Sequence, residues 1–147
     1  MYAEAVKTEA VIREVLENWT RAVRARDLDG VMAHFAPDVV AFDAILQMQF
    51  KGVDAYRDHY AKCLTMFPEG EIVFELKDLQ VVAGDGVAFS HCLIRCGGVD
   101  AQGKEESGWT RGTICFELRD GQWRVTHEHF SAPFDPETSR AMFDLTP

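Results

Sequence analysis

Between Thr8 and Arg26 the apolar residues Val11, Ile12, Val15, Leu16, Trp19, Ala22 and Val23 recur at steps of three and four. That spacing predicts an amphipathic helix with one continuous apolar stripe. Asp27 is a natural N-cap for a second, short helix through Val31 and Phe35, with Asp29 at its positive end and Pro37 as its stop. A short strand, Val39 to Phe42, follows. Val53, Tyr56, Tyr60, Leu64 and Phe67 then mark a third helix, ended by Pro68 and Gly70.

After Gly70 the period changes to two. Ile72, Phe74 and Leu76 alternate with Val73, Glu75 and Lys77; Val87 to Cys96, Trp109 to Arg119 and Gln122 to Phe130 are further strand-like runs. Ala83-Gly84-Asp85-Gly86, a polar loop from Gly97 to Ser107, and Arg119-Asp120-Gly121 separate them. Helices first and an antiparallel meander afterwards predict an α+β domain whose three N-terminal helices cover one face of a curved antiparallel sheet. With 147 residues, 47% of them hydrophobic, the whole of residues 1–147 reads as a single domain able to bury its own core.

Charge narrows the field of partners. Fifteen Lys+Arg against 24 Asp+Glu leave a net charge of −9, which repels phosphate backbones and anionic lipid, so neither nucleic acid nor a membrane surface is expected as a partner. No apolar run approaches the roughly 18 residues of a membrane helix, and Glu4, Lys7 and Glu9 stand where a signal peptide would be apolar. The expected location is cytoplasmic. Cys92 and Cys96, the nearest of the four cysteines, sit on one predicted strand with Cα atoms about 13 Å apart, beyond disulfide reach. Reduced thiols are expected. Gly-rich phosphate loops, nucleophile elbows and His-Glu-x-x-His are missing, so no nucleotide cofactor is implied; His127 and His129 could give two ligands to zinc, iron or copper with His91 or Asp43 as a third, but no metal is expected.

Two stretches resemble a known family. Ala25-Arg26-Asp27-Leu28-Asp29-Gly30, continuing through Phe35-Ala36-Pro37-Asp38 to Asp43, is similar to a segment of ketosteroid isomerases and their SnoaL-like relatives. Asp120-Gly121-Gln122-Trp123 through His127-Glu128-His129-Phe130-Ser131-Ala132-Pro133 resembles the ending of SnoaL-like and DUF4440-type members. The resemblance spans Glu9 to Pro133 and implies the nuclear transport factor 2-like fold, a cone-shaped α+β barrel. It implies isomerase, dehydratase or cyclase chemistry on a small apolar or carbonyl-bearing ligand. A non-catalytic dimerisation or interaction module is the alternative, because this fold hosts both.

In that family frame Asp43 falls at the place of the general-base aspartate. A carboxylate at the rim of an apolar cone can take a proton from a carbon acid; equally, Asp43 can simply end a strand. Trp19 takes the place of a tyrosine that donates to the substrate oxygen; its indole N–H can donate one hydrogen bond, and Trp19 is expected as a pocket wall or as a plain core residue. Ile114 falls near the place of a protonated aspartate and cannot. His127 and His129, two apart on one strand, are expected to share the face of Trp123 and Val125, about 6.6 Å apart, as catalytic partners of Asp43 or as core histidines; Glu128 is expected on the other face. His91, with Asp43 and His127, forms a rival trio like that of scytalone dehydratases. Phe42 and Tyr56 are expected to shape the pocket.

Arg111 depends on the last hairpin. A two-residue Asp120-Gly121 turn pairs Leu118 with Trp123, Phe116 with Val125 and Ile114 with His127, and puts Arg111 opposite the histidine face; a three-residue loop with a bulge flips the parity and supplies Arg111 to hold a substrate. Pairing into a homodimer through the sheet face is expected, with Phe130, Cys92, Ile94 and Cys96 as candidates for exposure there.

Overall fold

A computed structural model describes residues 2–147. Helix α1 spans Tyr2–Arg24, α2 Leu28–Met32 and α3 Val53–Met66. The strands are β1 (Phe35–Phe42), β2 (Phe50–Lys51), β3 (Ile72–Ala83), β4 (Val87–Val99), β5 (Glu105–Arg119) and β6 (Gln122–Ser131). They form one sheet in the order β2-β1-β6-β5-β4-β3. The helices lie against one face of this sheet, as the period change at Gly70 predicts.

Helix α1 buries Ile12, Val15, Leu16, Trp19, Ala22 and Val23, while Val11 falls off the stripe and is exposed. Arg24 of α1 donates to the carbonyl of Phe74 on β3 at 2.8 Å, tying helix to sheet. Asp27 caps α2 by accepting the Gly30 N–H at 3.1 Å. Helix α3 begins after Gly52, whose φ of 89° lies where L side chains rarely go, so glycine is the residue that fits this entry.

Four features depart from the pattern-based expectations. The short helix α2 stops at Met32 because Phe35 already pairs with Val125, and the strand runs straight through Pro37 where the ladder slips and no N–H is needed. Strand β1 runs parallel to β6, so the sheet is not wholly antiparallel. The two-residue β2 was not foreseen. The polar segment expected as a loop is mostly strand: Gly97, Gly98 and Val99 pair with Ser107, Glu106 and Glu105, leaving a turn at 100–104. There Asp100 accepts from the N–H groups of Gln102 and Lys104, each at 2.9 Å.

The last hairpin decides which side chains face the core. Asp120 and Gly121 have φ of 51° and 78°, the two positive values of a type I′ turn, and Leu118 pairs with Trp123 as expected. Past Val125 the expected register fails. Cys115, not Ile114, pairs with His127, because Thr126 is an extra residue that bulges out of the ladder. A one-residue insertion exchanges the two faces. Glu128 and Phe130 therefore point inward and His127 and His129 outward.

Candidate active site

Between α1, α3 and the concave sheet lies a cavity of about 500 Å³, within the range of small-molecule sites. Its wall is largely apolar. Trp19, Phe74 and Phe130 form one aromatic side: Phe130 stacks on Trp19 at 5.9 Å and Phe74 meets it edge-on at 5.1 Å. Phe67 and Pro68 at the end of α3, and Phe143 of the C-terminal segment, close the rim. That segment is held where the carbonyl of Phe143 accepts the Trp109 N–H at 3.1 Å.

Asp43 lies at the cavity wall, immediately beyond β1. Its Oδ1 accepts the Ala44 N–H at 2.7 Å, and its Oδ2 is hydrogen bonded directly to Nε2 of His59. His59 is itself buried, with its ring stacked on Phe50 at 4.0 Å. The pair thus has a fixed imidazole behind a carboxylate that faces the cavity. Asp43, His59 and Cys63 also lie close enough for their ligand atoms to share a metal ion. The thiol, however, stands 3.5 Å from Nε2 and 4.0 Å from Nδ1. It is beside the ring rather than beyond Nε2, where a metal on that nitrogen would need it. The arrangement is that of a carboxylate hydrogen bonded to an imidazole. Burial pushes the Cys63 thiol up to about 11, so it is neutral and a poor nucleophile near neutral pH.

Helix α3 supplies the rest of the polar wall from one face. Tyr56, His59, Tyr60 and Cys63 fall at i, i+3, i+4 and i+7, which stacks them along a single stripe. Tyr56 is fully buried and donates its O–H to Oε2 of Glu128 at 2.6 Å. Burial, offset by the Tyr56 hydrogen bond and reinforced by the Asp43 charge, pushes Glu128 up to about 8. It is a neutral carboxylic acid at pH 7. Burial and the charges of Glu128 and Asp43 hold Tyr60 well above the usual phenol range, so it stays protonated as a donor beside the cavity. Trp19 completes the set. Its indole N–H approaches Tyr60 but meets hydrogen-bond geometry with no group; among the described residues it is buried without a partner.

The sequence-derived candidates therefore separate. Asp43 and Trp19 line the cavity together, and Tyr56 stands behind its wall. His127 and His129 do not join them, because the Thr126 bulge turns both to the outer face, where Phe42 packs edge-on against them at 4.7 and 5.5 Å. His127 Nδ1 is bonded to the Val40 carbonyl. Phe42 is thus on the outer face and not a pocket residue. His91 is exposed on that face opposite Thr113, and Arg111 lies there too, donating to Ser131 Oγ at 3.2 Å. Both hairpin alternatives missed this outcome: Arg111 shares the histidine face, but that face is the outer one. Cys92, Ile94 and Phe130, expected on the convex surface, are buried inward, and Cys96 lines the cavity.

His59, Tyr60, Cys63 and Glu128 were missed by sequence reasoning. A signal existed for the first three, since a histidine and a cysteine interrupt the apolar stripe of α3 on its buried side. Glu128 had none, because its inward face depends on the bulge.

Comparison with known proteins agrees with this architecture. An NTF2-like protein of unknown function from Pseudomonas putida is 45% identical, covers 97% of this chain and 99% of its own, and superposes with a TM-score of 0.90. A protein from Streptomyces avermitilis, provisionally named a dehydratase of the NTF2-like family, is 15% identical over 89% of this chain and 99% of its own, with a TM-score of 0.77. An uncharacterised cystatin-like-fold protein from Caulobacter vibrioides is 18% identical over 88% and 92%, with a TM-score of 0.71. The latter two likenesses are of fold alone. Curated proteins gave no match. The profile of the SnoaL-like domain matches residues 12–135, and the chain belongs to this family of the NTF2-like superfamily.

Proposed function

We propose that the chain is a cofactor-independent enzyme that moves a proton on a small apolar, carbonyl-bearing compound, in the manner of an isomerase, dehydratase or cyclase. The observation that carries this reading is a carboxylate braced by a buried histidine on the wall of an apolar cavity that also holds an unpartnered indole N–H. Each oxygen of Asp43 already accepts one bond, which fixes the carboxylate and leaves a lone pair for a substrate proton. Asp43 takes a proton from the carbon next to the carbonyl. The electron pair moves onto the carbonyl oxygen, where the Trp19 N–H and Tyr60 O–H stabilise the negative charge. Return of the proton to another carbon completes an isomerisation; in a dehydration the electron pair returns from the oxygen to form the new C=C bond as the C–O bond of the neighbouring carbon breaks, and the departing hydroxyl takes the proton from Asp43 and leaves as water.

The provisional dehydratase name of the Streptomyces relative is consistent with this chemistry. The first test is native mass spectrometry of the purified protein, followed by denaturation to identify a compound carried through purification. With that compound as a guide to substrate, Asp43→Asn should lower kcat by about 10²–10⁴-fold while binding persists. Turnover equal to that of the parent would refute the assignment.

We further propose homodimerisation through the outer sheet face, where Phe89 and Val87 are 44% and 64% exposed. Sedimentation at micromolar concentration decides this separately, since pairing is compatible with catalysis and with an interaction module alike. The open cavity favours the enzyme. In an interaction module its space would be filled by side chains.

A further inference from the structure

The cavity wall contains no lysine, arginine or histidine among the described residues, yet it carries two carboxylates, Asp43 and Glu106. Strand parity produces this segregation. Glu106, Gly108, Thr110 and Gly112 alternate along the concave side of β5, while Trp109 and Arg111 alternate along the other. Two arginines adjoin segments of the lining but do not enter it. Arg95 is paired with Glu75 and Glu105 on the outer face, and Arg26 donates to the backbone carbonyls of Leu64, Pro68 and Gly70. The donors left in the cavity, Trp19 N–H and Tyr60 O–H, are neutral.

We propose that Glu106 is a specificity-determining residue which, with Asp43, closes this cavity to anionic ligands and reserves it for uncharged or cationic ring compounds. An anion entering the cavity leaves water, passes the exposed Glu106 carboxylate, meets the carboxylate of Asp43 with His59 behind it, and finds no cation in the lining to replace its hydration. A neutral ring compound incurs none of these costs and gains the aromatic wall of Trp19, Phe74 and Phe130. Free carboxylic acids, phosphate esters and phosphate-bearing thioesters are thereby excluded as substrates. This rests on the reading of the cavity as a ligand site, but not on that of Asp43 as a base.

The test uses two fluorescent probes of one skeleton, N-phenyl-1-naphthylamine, which is neutral, and its 8-sulfonate, which is an anion. The expected result is that the neutral probe binds at least about tenfold more tightly, as like-charge exclusion implies. Glu106→Gln should narrow that ratio at least about threefold, and Glu106→Lys should bring the two probes close to parity. Asp85→Lys, in the exposed turn between β3 and β4, makes the same change in net charge away from the cavity and should leave the ratio unaltered. Thr110→Trp, which places an indole inside the cavity, should abolish binding of the neutral probe and so locate it. Equal affinity of the parent for both probes overturns the proposal, as does a ratio that follows Asp85→Lys as closely as Glu106→Lys. Binding that survives Thr110→Trp overturns it too. Binding of neither probe overturns both the proposal and the ligand-site reading beneath it, whereas selective binding with an inactive cavity leaves the proposal standing and removes only the catalytic reading.

Discussion

Glu128→Gln should make the protein more stable at neutral and alkaline pH and leave it unchanged in mild acid. Glu128 is 1% exposed, and its carboxyl is pushed up from 4.5 to about 8, chiefly by burial. An acid whose folded pKa is raised contributes fully to stability below the unfolded value, about 4.5, and that contribution is lost as pH rises through about 8. In this window the unfolded chain has released the proton and the folded chain keeps it. Each pH unit costs about 1.4 kcal/mol, so the loss reaches about 3 kcal/mol at pH 7 and about 5 kcal/mol above pH 8. Gln keeps the shape and still accepts the Tyr56 hydroxyl, but has no proton to lose. Urea unfolding of both proteins at unit steps from pH 5 to 9 gives the difference directly, with every other titrating group cancelling. It should be below about 1 kcal/mol at pH 5, climb at about 1.4 kcal/mol per pH unit and level off beyond pH 8. A difference that stays flat across this range would refute the placement of an ionisable acid in the core.

Tyr56→Phe removes the hydroxyl that Glu128 accepts and should cost about 1–3 kcal/mol; in combination with Glu128→Gln its effect should depart from additivity, measured by a double-mutant cycle. Trp19→Phe deletes a donor that has no protein partner, so the unfolding free energy should fall only by the packing of the lost ring, about 1–2 kcal/mol, while affinity for a ketone ligand falls more than that for the parent hydrocarbon. Equal losses of affinity for the ketone and for the hydrocarbon would refute the role of the indole N–H as a donor to the ligand. A Cβ at Gly97 would lie 2.0 Å from the Glu106 carbonyl oxygen, which is backbone and cannot swing aside; Gly97→Ala should cost about 1–3 kcal/mol by thermal unfolding, whereas Gly86→Ala, with nothing within 4 Å, should be close to neutral.

The architecture was legible because its determinants are local. The three- and four-residue steps of α1, the Asp27 cap and the Asp120-Gly121 turn each specify their own geometry within a few residues, and each appears where expected. Asp43 was legible as well, since its place at the end of β1 follows from an ungapped segment of chain. The remaining site residues depend on relations that no short window contains. His59 becomes a partner of Asp43 only because α3 returns across the end of β1, and Trp19 becomes an unpartnered donor only through the placement of Tyr60. The parallel pairing of β1 with β6 joins segments far apart in the chain, so no turn chemistry announces it.

The bulge at Thr126 is the point on which the composition of the site turns. Without it, strict alternation from Val125 would bring His127 and His129 into the concave face and send Glu128 to the surface. The cavity would then be flanked by imidazoles that can become cationic, and the hydroxyl of Tyr56 would lose its carboxyl partner. With the extra residue, His127 and His129 of β6 are directed to the outer face, which Arg111 already occupies by the alternation of β5, while a neutral acid enters the core behind the α3 stripe. Phe130 turns inward by the same step and stacks on Trp19. One unpaired residue thus keeps two imidazoles out of the cavity, adds Phe130 to its aromatic wall and gives Tyr56 its carboxyl partner. The exclusion of the two imidazoles and the entry of the buried acid are in this sense two consequences of one irregularity in a single strand.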